Sequence, residues 1–169
     1  MGISDSFGSA FAKAQIAADN ALPTTGAIFV TVNDSDKPTV IPIARRFHEM
    51  GFNLFATEGT RRYLRQRGIP SDRVFKVHEG RPHAIDLIVN RQVQLLINTP
   101  MGKHAHLDDF SLRKAAIAHH VPYTTTMSAA SAAVDAVLAL RSRAQTVRSL
   151  QEWQALVTRG ASPDVGEAA

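Results

Sequence analysis

The sequence contains no cysteine, which removes disulfide frameworks, thiolate nucleophiles and cysteine-based metal sites from consideration. No apolar run approaches the roughly 20 residues of a membrane-spanning helix, and the N-terminus lacks the basic-then-apolar pattern of a secretory signal; a soluble, cytoplasmic chain is expected, with no membrane partner. Aromatic residues make up only 7% of the 169 positions, and they do not alternate with the basic ones. Arg61, Arg62, Arg65 and Arg67 share one short segment, while Arg141, Arg143 and Arg148 lie far along the chain. Without interleaved stacking platforms, the formal charge of +4 does not describe a nucleic-acid binder. It suits solvated helix faces and a pocket for a small anion.

What is present is a globular composition, 44% hydrophobic and 20% charged, in which short apolar runs alternate with helical patterns. Residues 27–32 (AIFVTV) read as a strand covered on both faces. Asn33 to Lys37 then offer helix caps, and Val40, Ile43, Phe47 and Met50 share one helical face that stops at Gly51; Pro42 conflicts with that helix unless it starts late or bends. A second strand in 51–56 ends at the Thr57-Glu58-Gly59-Thr60 turn, and an arginine-rich helix from Arg61 runs to Gly68. Further strands are expected at 73–77, 93–100 and 121–125. The intervening helices carry Ile85, Leu87 and Ile88, then Leu112, Ala115, Ala116 and His119 behind an Asp108-Asp109 cap, then Val134, Val137, Leu138 and Leu140 after Thr126. Leu150, Trp153 and Leu156 suggest one last short helix, and 158–169 reads as a disordered tail. Residues 1–25 stand apart: Ser4 or Asp5 caps a helix bearing Phe7, Phe11 and Ala14 that ends near Asp19-Asn20, followed by a linker. They read as the end of another domain, with the fold proper covering 26–157.

Strands alternating with helices in this way predict an α/β domain of three layers, Rossmann-like, with a five-stranded parallel sheet and helices on both faces. Ligands of such sheets bind at the carboxyl ends of the strands, near the point where strand order reverses. Those ends carry Thr31 and Lys37, Thr57 and Thr60, Lys76 to His83, Asn98 and Thr99, and Tyr123 with Thr125. Hydroxyls, amides and lysines without a nucleophile and base pair describe a phosphate pocket rather than a reaction centre. A strand, a turn and a helix N-terminus also present backbone N–H groups to an anion, and phosphate suits that arrangement best.

The segments Thr31 to Lys37, Ala56 to Thr60, Lys76-Val77-His78-Glu79-Gly80-Arg81-Pro82-His83 and Ile97 to Lys103 together resemble the methylglyoxal synthase-like domain at the C-terminus of the carbamoyl-phosphate synthetase large subunit. Met1 to Gln15 is similar to the stretch that closes the preceding ATP-binding domain of that subunit. The resemblance implies an allosteric module without catalysis or cofactor of its own. Its implied ligands are UMP or IMP, with ornithine bound between it and the neighbouring synthetase domain; its partners are the rest of the large subunit and the glutaminase small subunit. Position by position, it assigns the effector phosphate to Lys37, Thr57, Thr60 and Lys76. Thr31, Asn98, Thr99 and Asp108 fall nearer ribose or base, Lys103 falls in the effector loop, and Tyr123 and Thr125 face ornithine. Met101 and His106 depart from the usual small hydroxyl residue and arginine, which implies a weaker phosphate grip or a different effector.

Plainer structural accounts stand beside these assignments. Lys37 is equally well a solvated helix residue, Asp108 an N-cap, and His78 or His83 a loop histidine bonded to backbone. The alternative from another class is methylglyoxal synthase chemistry, which needs a carboxylate base beside the phosphate; only Glu79 is at hand, and the synthase's Gly-Gly-Asp is replaced by His78-Glu79-Gly80-Arg81. The purine-ring cyclohydrolase of the same group requires a different lysine- and histidine-bearing segment. His104, His106 and Asp108, or His119-His120, lack the spacing of a helical zinc pair, so no metal is expected.

Overall fold

A computed structural model describes residues 1–76, 79–99, 103–142 and 146–158, without the side chains of 103–108. Five parallel strands form one sheet: β1 (Ala27–Val32), β2 (Asn53–Ala56), β3 (Asp72–Arg73), β4 (Leu95–Thr99) and β5 (Tyr123–Thr124), in the order β3-β2-β1-β4-β5. The order reverses between β1 and β4, where Thr31 is in register with Asn98 and Val32 with Thr99. The helices are α1 (Phe7–Ala17), α2 (Lys37–Glu49), α3 (Glu58–Arg65), α4 (Ala84–Val89), α5 (Lys103–Ala118), α6 (Met127–Ser142) and α7 (Leu150–Thr158).

The strand period of two sorts the core. Ile28, Val30, Val32, Leu54, Ala56, Leu95 and Ile97 pack to one face with Val40, Ile43 and Phe47 of α2 and Ala133, Val134 and Val137 of α6. Ala27, Phe29 and Leu96 pack to the other with Leu87 and Ile88 of α4 and Leu112 and Ala116 of α5. That is the three-layer architecture read from the sequence.

Several boundaries differ from the sequence reading for identifiable reasons. α2 runs through Pro42, because Val40, Ile43, Ala44 and Phe47 are all buried on its apolar face and this outweighs the one hydrogen bond the proline cannot make. α3 begins at Glu58 rather than Arg61: Thr57 takes the extended N-cap position, and Arg61 N–H already bonds Thr57 O at 2.8 Å. β3 is two residues, not 73–77, since Phe75 bridges to His83 and Glu79 accepts the Lys76 N–H at 3.2 Å, turning the chain away. β2, β4 and β5 are each shorter at their ends than expected. α5 begins at Lys103, so Asp108 and Asp109 lie inside the helix and do not cap it. Ser6, not Ser4 or Asp5, caps α1 by accepting the Ser9 N–H at 3.3 Å.

α1 lies on α6. A Cβ built on Gly8 would meet the Asp135 carbonyl oxygen at 2.5 Å, so only glycine permits this approach, and Ala12 is buried in the core behind it. Phe7 stays exposed, stacked on Phe11. Arg141 anchors the following segment by donating to the carbonyl oxygens of Thr24 and Met50. Gly8→Ala is expected to cost about 2 kcal/mol, because a backbone carbonyl rather than a movable side chain blocks the new methyl; chemical denaturation with an unchanged m-value checks it.

α1 to α5 each end in the same paired hydrogen-bond pattern, for example Gly51 N–H to His48 O with Phe52 N–H to Phe47 O after α2. The residue at the turn needs positive φ. Gly51 (φ 83°) and Gly68 (φ 73°) supply it after α2 and α3, but Asp19, Arg91 and His120 adopt φ 53–54° after α1, α4 and α5. For such side chains that region costs about 1 kcal/mol relative to glycine.

Candidate functional site

At the carboxyl ends of β1 and β2, three hydroxyls form a chain. Thr31 Oγ1 lies 3.1 Å from Thr57 Oγ1, Thr57 Oγ1 donates to Thr60 Oγ1 at 3.5 Å, and Thr60 Oγ1 accepts the Val32 N–H at 3.3 Å. Thr57 and Thr60 are buried. Because the Thr57 hydroxyl is turned to its threonine neighbours, no side chain caps α3, and its first-turn N–H groups keep their unpaired donors and the positive end of the helix dipole. Lys37 crosses this turn: its Nζ would be 3.6 Å from a Cβ on Gly59 and lies 6.0 Å from the Tyr63 ring centre. A Cβ at 59 would meet only that ammonium, at ordinary contact distance. The nearby Glu58 carboxylate is surrounded by the guanidinium groups of Arg61, Arg62 and Arg73 at 3.3 to 3.5 Å, which offsets its opposition to an anion.

Lys37 is already engaged. Asp34, fully solvated in the short 3-10 turn after β1, lies 2.6 Å from Nζ, and this lysine holds the Asp34 carboxyl below the usual carboxylate range, first by hydrogen bonding and then by charge.

The remaining strand ends are tied together. Thr99 Oγ1 accepts from the Asn33 backbone N–H and side-chain amide, both at 3.2 Å, pinning the β1 loop to β4. Asn98 donates to Asp109 at 2.8 Å and to the Tyr123 hydroxyl at 2.6 Å; the Tyr123 hydroxyl in turn donates to Asp109 in a short hydrogen bond, and Arg113 adds a third donor at 2.9 Å. Burial first, then the adjacent Asp109 carboxylate, push the Tyr123 hydroxyl well above its ordinary range.

Of the residues named from the sequence, the fold brings Thr31, Lys37, Thr57 and Thr60 into one cluster and Asn98 and Tyr123 into a second beside it, through the Thr31–Asn98 register. The Thr99 hydroxyl is spent on Asn33. Lys76 is exposed on the loop leaving β3, and Thr125 is exposed beyond β5. His83 caps α4, accepting the Asp86 N–H at 3.3 Å in a capping box, which is the plainer account weighed for it. The Lys103, Asp108, His104 and His106 side chains, with His78 and Met101, lie outside the described residues. Sequence reasoning missed Asn33 as a strand tie, Asp34 as the lysine's partner and Asp109 as a buried acceptor; the Asp109-to-Arg113 spacing of four was the one available signal. Among the described residues, no group of three His, Asp or Glu side chains is placed to hold a metal, and no helix is long and apolar enough to cross a membrane.

A five-stranded parallel sheet between helical layers, with an uncapped helix N-terminus, hydroxyls and a lysine at the carboxyl ends of β1 and β2, defines a three-layer α/β domain. More narrowly, the chain belongs to the MGS-like domain family, whose model matches residues 39–125. It is 58% identical over 157 residues, 93% of its length, to a carbamoyl phosphate synthase large chain of Gemmatimonas aurantiaca, and 44% identical over 151 residues, 89% of its length, to that of Acidobacterium capsulatum. The chain spans 14% of the length of each of these relatives. It also matches 90% of itself, at 41% identity, to a protein described as a carbamoyl phosphate synthase large chain, C-terminal section, from Aquifex aeolicus, of which it covers 29%. Among solved structures, methylglyoxal synthase from Elizabethkingia anophelis shares the fold, with a TM-score of 0.53 and 19% identity over 65% of this chain and 76% of that one.

Proposed function

We propose that this chain is the regulatory, effector-binding domain of a glutamine-hydrolysing carbamoyl phosphate synthase large chain, serving pyrimidine and arginine biosynthesis in the cytoplasm. Its ligand is a nucleoside monophosphate, UMP or IMP, held by the phosphate. The observation that carries the reading is the uncapped α3 N-terminus enclosed by Thr31, Thr57 and Thr60 with the Lys37 ammonium above Gly59. In this reading the phosphate accepts from the α3 amides and the threonine hydroxyls, displaces Asp34 from Lys37, and draws in Lys76 from its exposed loop. In this reading ribose and base are assigned to Asn98 and Thr99, and by the sequence resemblance also to Lys103 and Asp108. Tyr123 and Thr125 form this domain's half of an ornithine site, whose other half belongs to the neighbouring synthetase domain; the glutaminase small subunit completes the assembly. Occupancy of the site shifts the loops after β1, β3 and β4 and so the packing against the synthetase domain.

Catalysis fits the arrangement poorly. The carboxylates nearest the turn, Asp34 and Glu58, are both ion-paired, and Glu79 is engaged in closing its own loop, so none stands ready as a base. Isothermal titration with UMP and with IMP tests the reading. Asp34→Asn is expected to bind inorganic phosphate and nucleotide tighter, on the order of threefold, because it removes the competing carboxylate without touching a proposed phosphate donor. The same titration checks this.

A further inference from the structure

The opposite edge of the sheet carries a cleft that the effector reading does not use. It lies at the amino ends of β4 and β5, with a volume of about 280 Å³. Its floor is apolar, built from Val93, Val121, Pro122 and Pro23, and its rim carries Arg91, His119 and His120. Gln94 accepts the Ala27 N–H at 2.7 Å and donates to Arg91 O at 2.7 Å, tying the turn that carries Arg91 to the start of β1.

Two of these rim residues are where glycine is favoured. Arg91 and His120 occupy the positive-φ position at the ends of α4 and α5, at φ 54° and 53°, and the third such residue, Asp19, lies 3.7 Å from His120 Nδ1. At the ends of α2 and α3 the same position is held by Gly51 and Gly68. Disfavoured backbone geometry retained at one spot, by side chains that line a cavity, is an observation that points to binding. The plainer account is that cations near helix carboxyl ends offset the dipole. Here, however, Arg91 N–H bonds Ile88 O and Gln92 N–H bonds Leu87 O, while His120 N–H bonds Ile117 O and Val121 N–H bonds Ala116 O. Those backbone bonds already satisfy the terminal carbonyls, and glycine would make them equally well.

We infer that this cleft is a second ligand site, for a small organic monoanion whose charged head meets the Arg91 guanidinium and the His119 and His120 imidazoles and whose short apolar body covers Val93, Val121 and Pro122. The guanidinium offers a planar pair of donors matched to a carboxylate. Asp19 Oδ2 lies 3.7 Å from His120 Nδ1, beyond hydrogen-bond distance, so both ring nitrogens of His120 are open to a ligand. The volume holds about nine water-sized groups, a ligand of roughly that many heavy atoms.

The test is an amide NMR titration of the 169-residue chain with benzoate, with benzamide as the neutral control and phenyl phosphate as a second anionic head. Benzoate is expected to shift the Arg91, Gln92, His120 and Val121 signals saturably, with half-saturation on the order of 1 mM, and benzamide at least about tenfold more weakly. Tighter binding of phenyl phosphate, mostly a dianion at neutral pH, at the same signals would overturn the monoanionic head group. The Arg91→Gly/His120→Gly variant is expected to lose at least about tenfold in affinity while its thermal midpoint rises, since both positions favour glycine. That rise separates loss of a ligand contact from loss of the fold. Linear shifts up to about 50 mM, equal response to benzamide, an unchanged affinity in the variant, or saturation only at the Thr57–Thr60 signals would each overturn the proposal.

Discussion

Replacing Lys37 and Thr57 together by alanine is expected to weaken UMP or IMP binding about 100-fold while leaving the unfolding midpoint nearly unchanged. The size follows from the parts. In the proposed site Lys37 would give the phosphate a charge-assisted hydrogen bond, and its partner in the free protein is the solvated Asp34, so its loss costs the fold little. Thr57 contributes a hydroxyl donor and helps hold Thr31 and Thr60 in line; alanine still adopts the extended backbone that starts α3. Lys37→Arg is expected to restore binding only in part, because a planar fork of donors does not reproduce the geometry of a compact ammonium. Calorimetric titration of the double variant beside Asp34→Asn gives opposite signs from neighbouring residues, an outcome that general destabilisation does not produce.

The second large effect concerns the tie between β4, β5 and α5. Asp109→Ala is expected to cost about 3 kcal/mol, since it strands the Asn98 amide and the Tyr123 hydroxyl in a buried setting and frees Arg113. Asp109→Asn keeps one acceptor and costs less. The same network sets an alkaline limit. The Tyr123 hydroxyl titrates higher in the folded chain than its ordinary 10.0, chiefly because it is buried and then because of Asp109. The folded state therefore favours the protonated phenol: its contribution to stability is fully present below pH 10 and is lost as pH rises through the folded value. Urea unfolding from pH 8 to 11.5 is expected to show stability falling above pH 10, and Tyr123→Phe is expected to remove that part of the fall.

The sheet was legible because β1, β2 and β4 are short apolar runs that must be buried on both faces, and their alternating residues separate into the two cores. The Thr57–Thr60 turn was legible for a related reason, as a polar stop between a buried strand and a helix. β3 was overestimated because Val74 and Phe75 carry strand propensity, yet a bridge to His83 redirects the chain. The α5 start was misplaced because two aspartates look like a cap from sequence, whereas Asp109 serves partners 11 and 14 residues away. Asp34 was read only as a cap candidate and not as the partner of Lys37, since its value lies in a side chain crossing the turn rather than in local propensity. The end of α1 near Asp19-Asn20 was read from the sequence, but the positive φ of Asp19, Arg91 and His120 was not, because glycine is the usual sequence signal for that conformation and only the backbone shows it here.

The central claim is an anion-binding regulatory domain, and titration of the unmodified chain with UMP and IMP, run beside an assay for methylglyoxal formed from dihydroxyacetone phosphate, tests it most directly. The account predicts saturable nucleotide binding near one equivalent that inorganic phosphate competes away, and no methylglyoxal. Absence of binding to either nucleotide, or turnover of dihydroxyacetone phosphate, would contradict it.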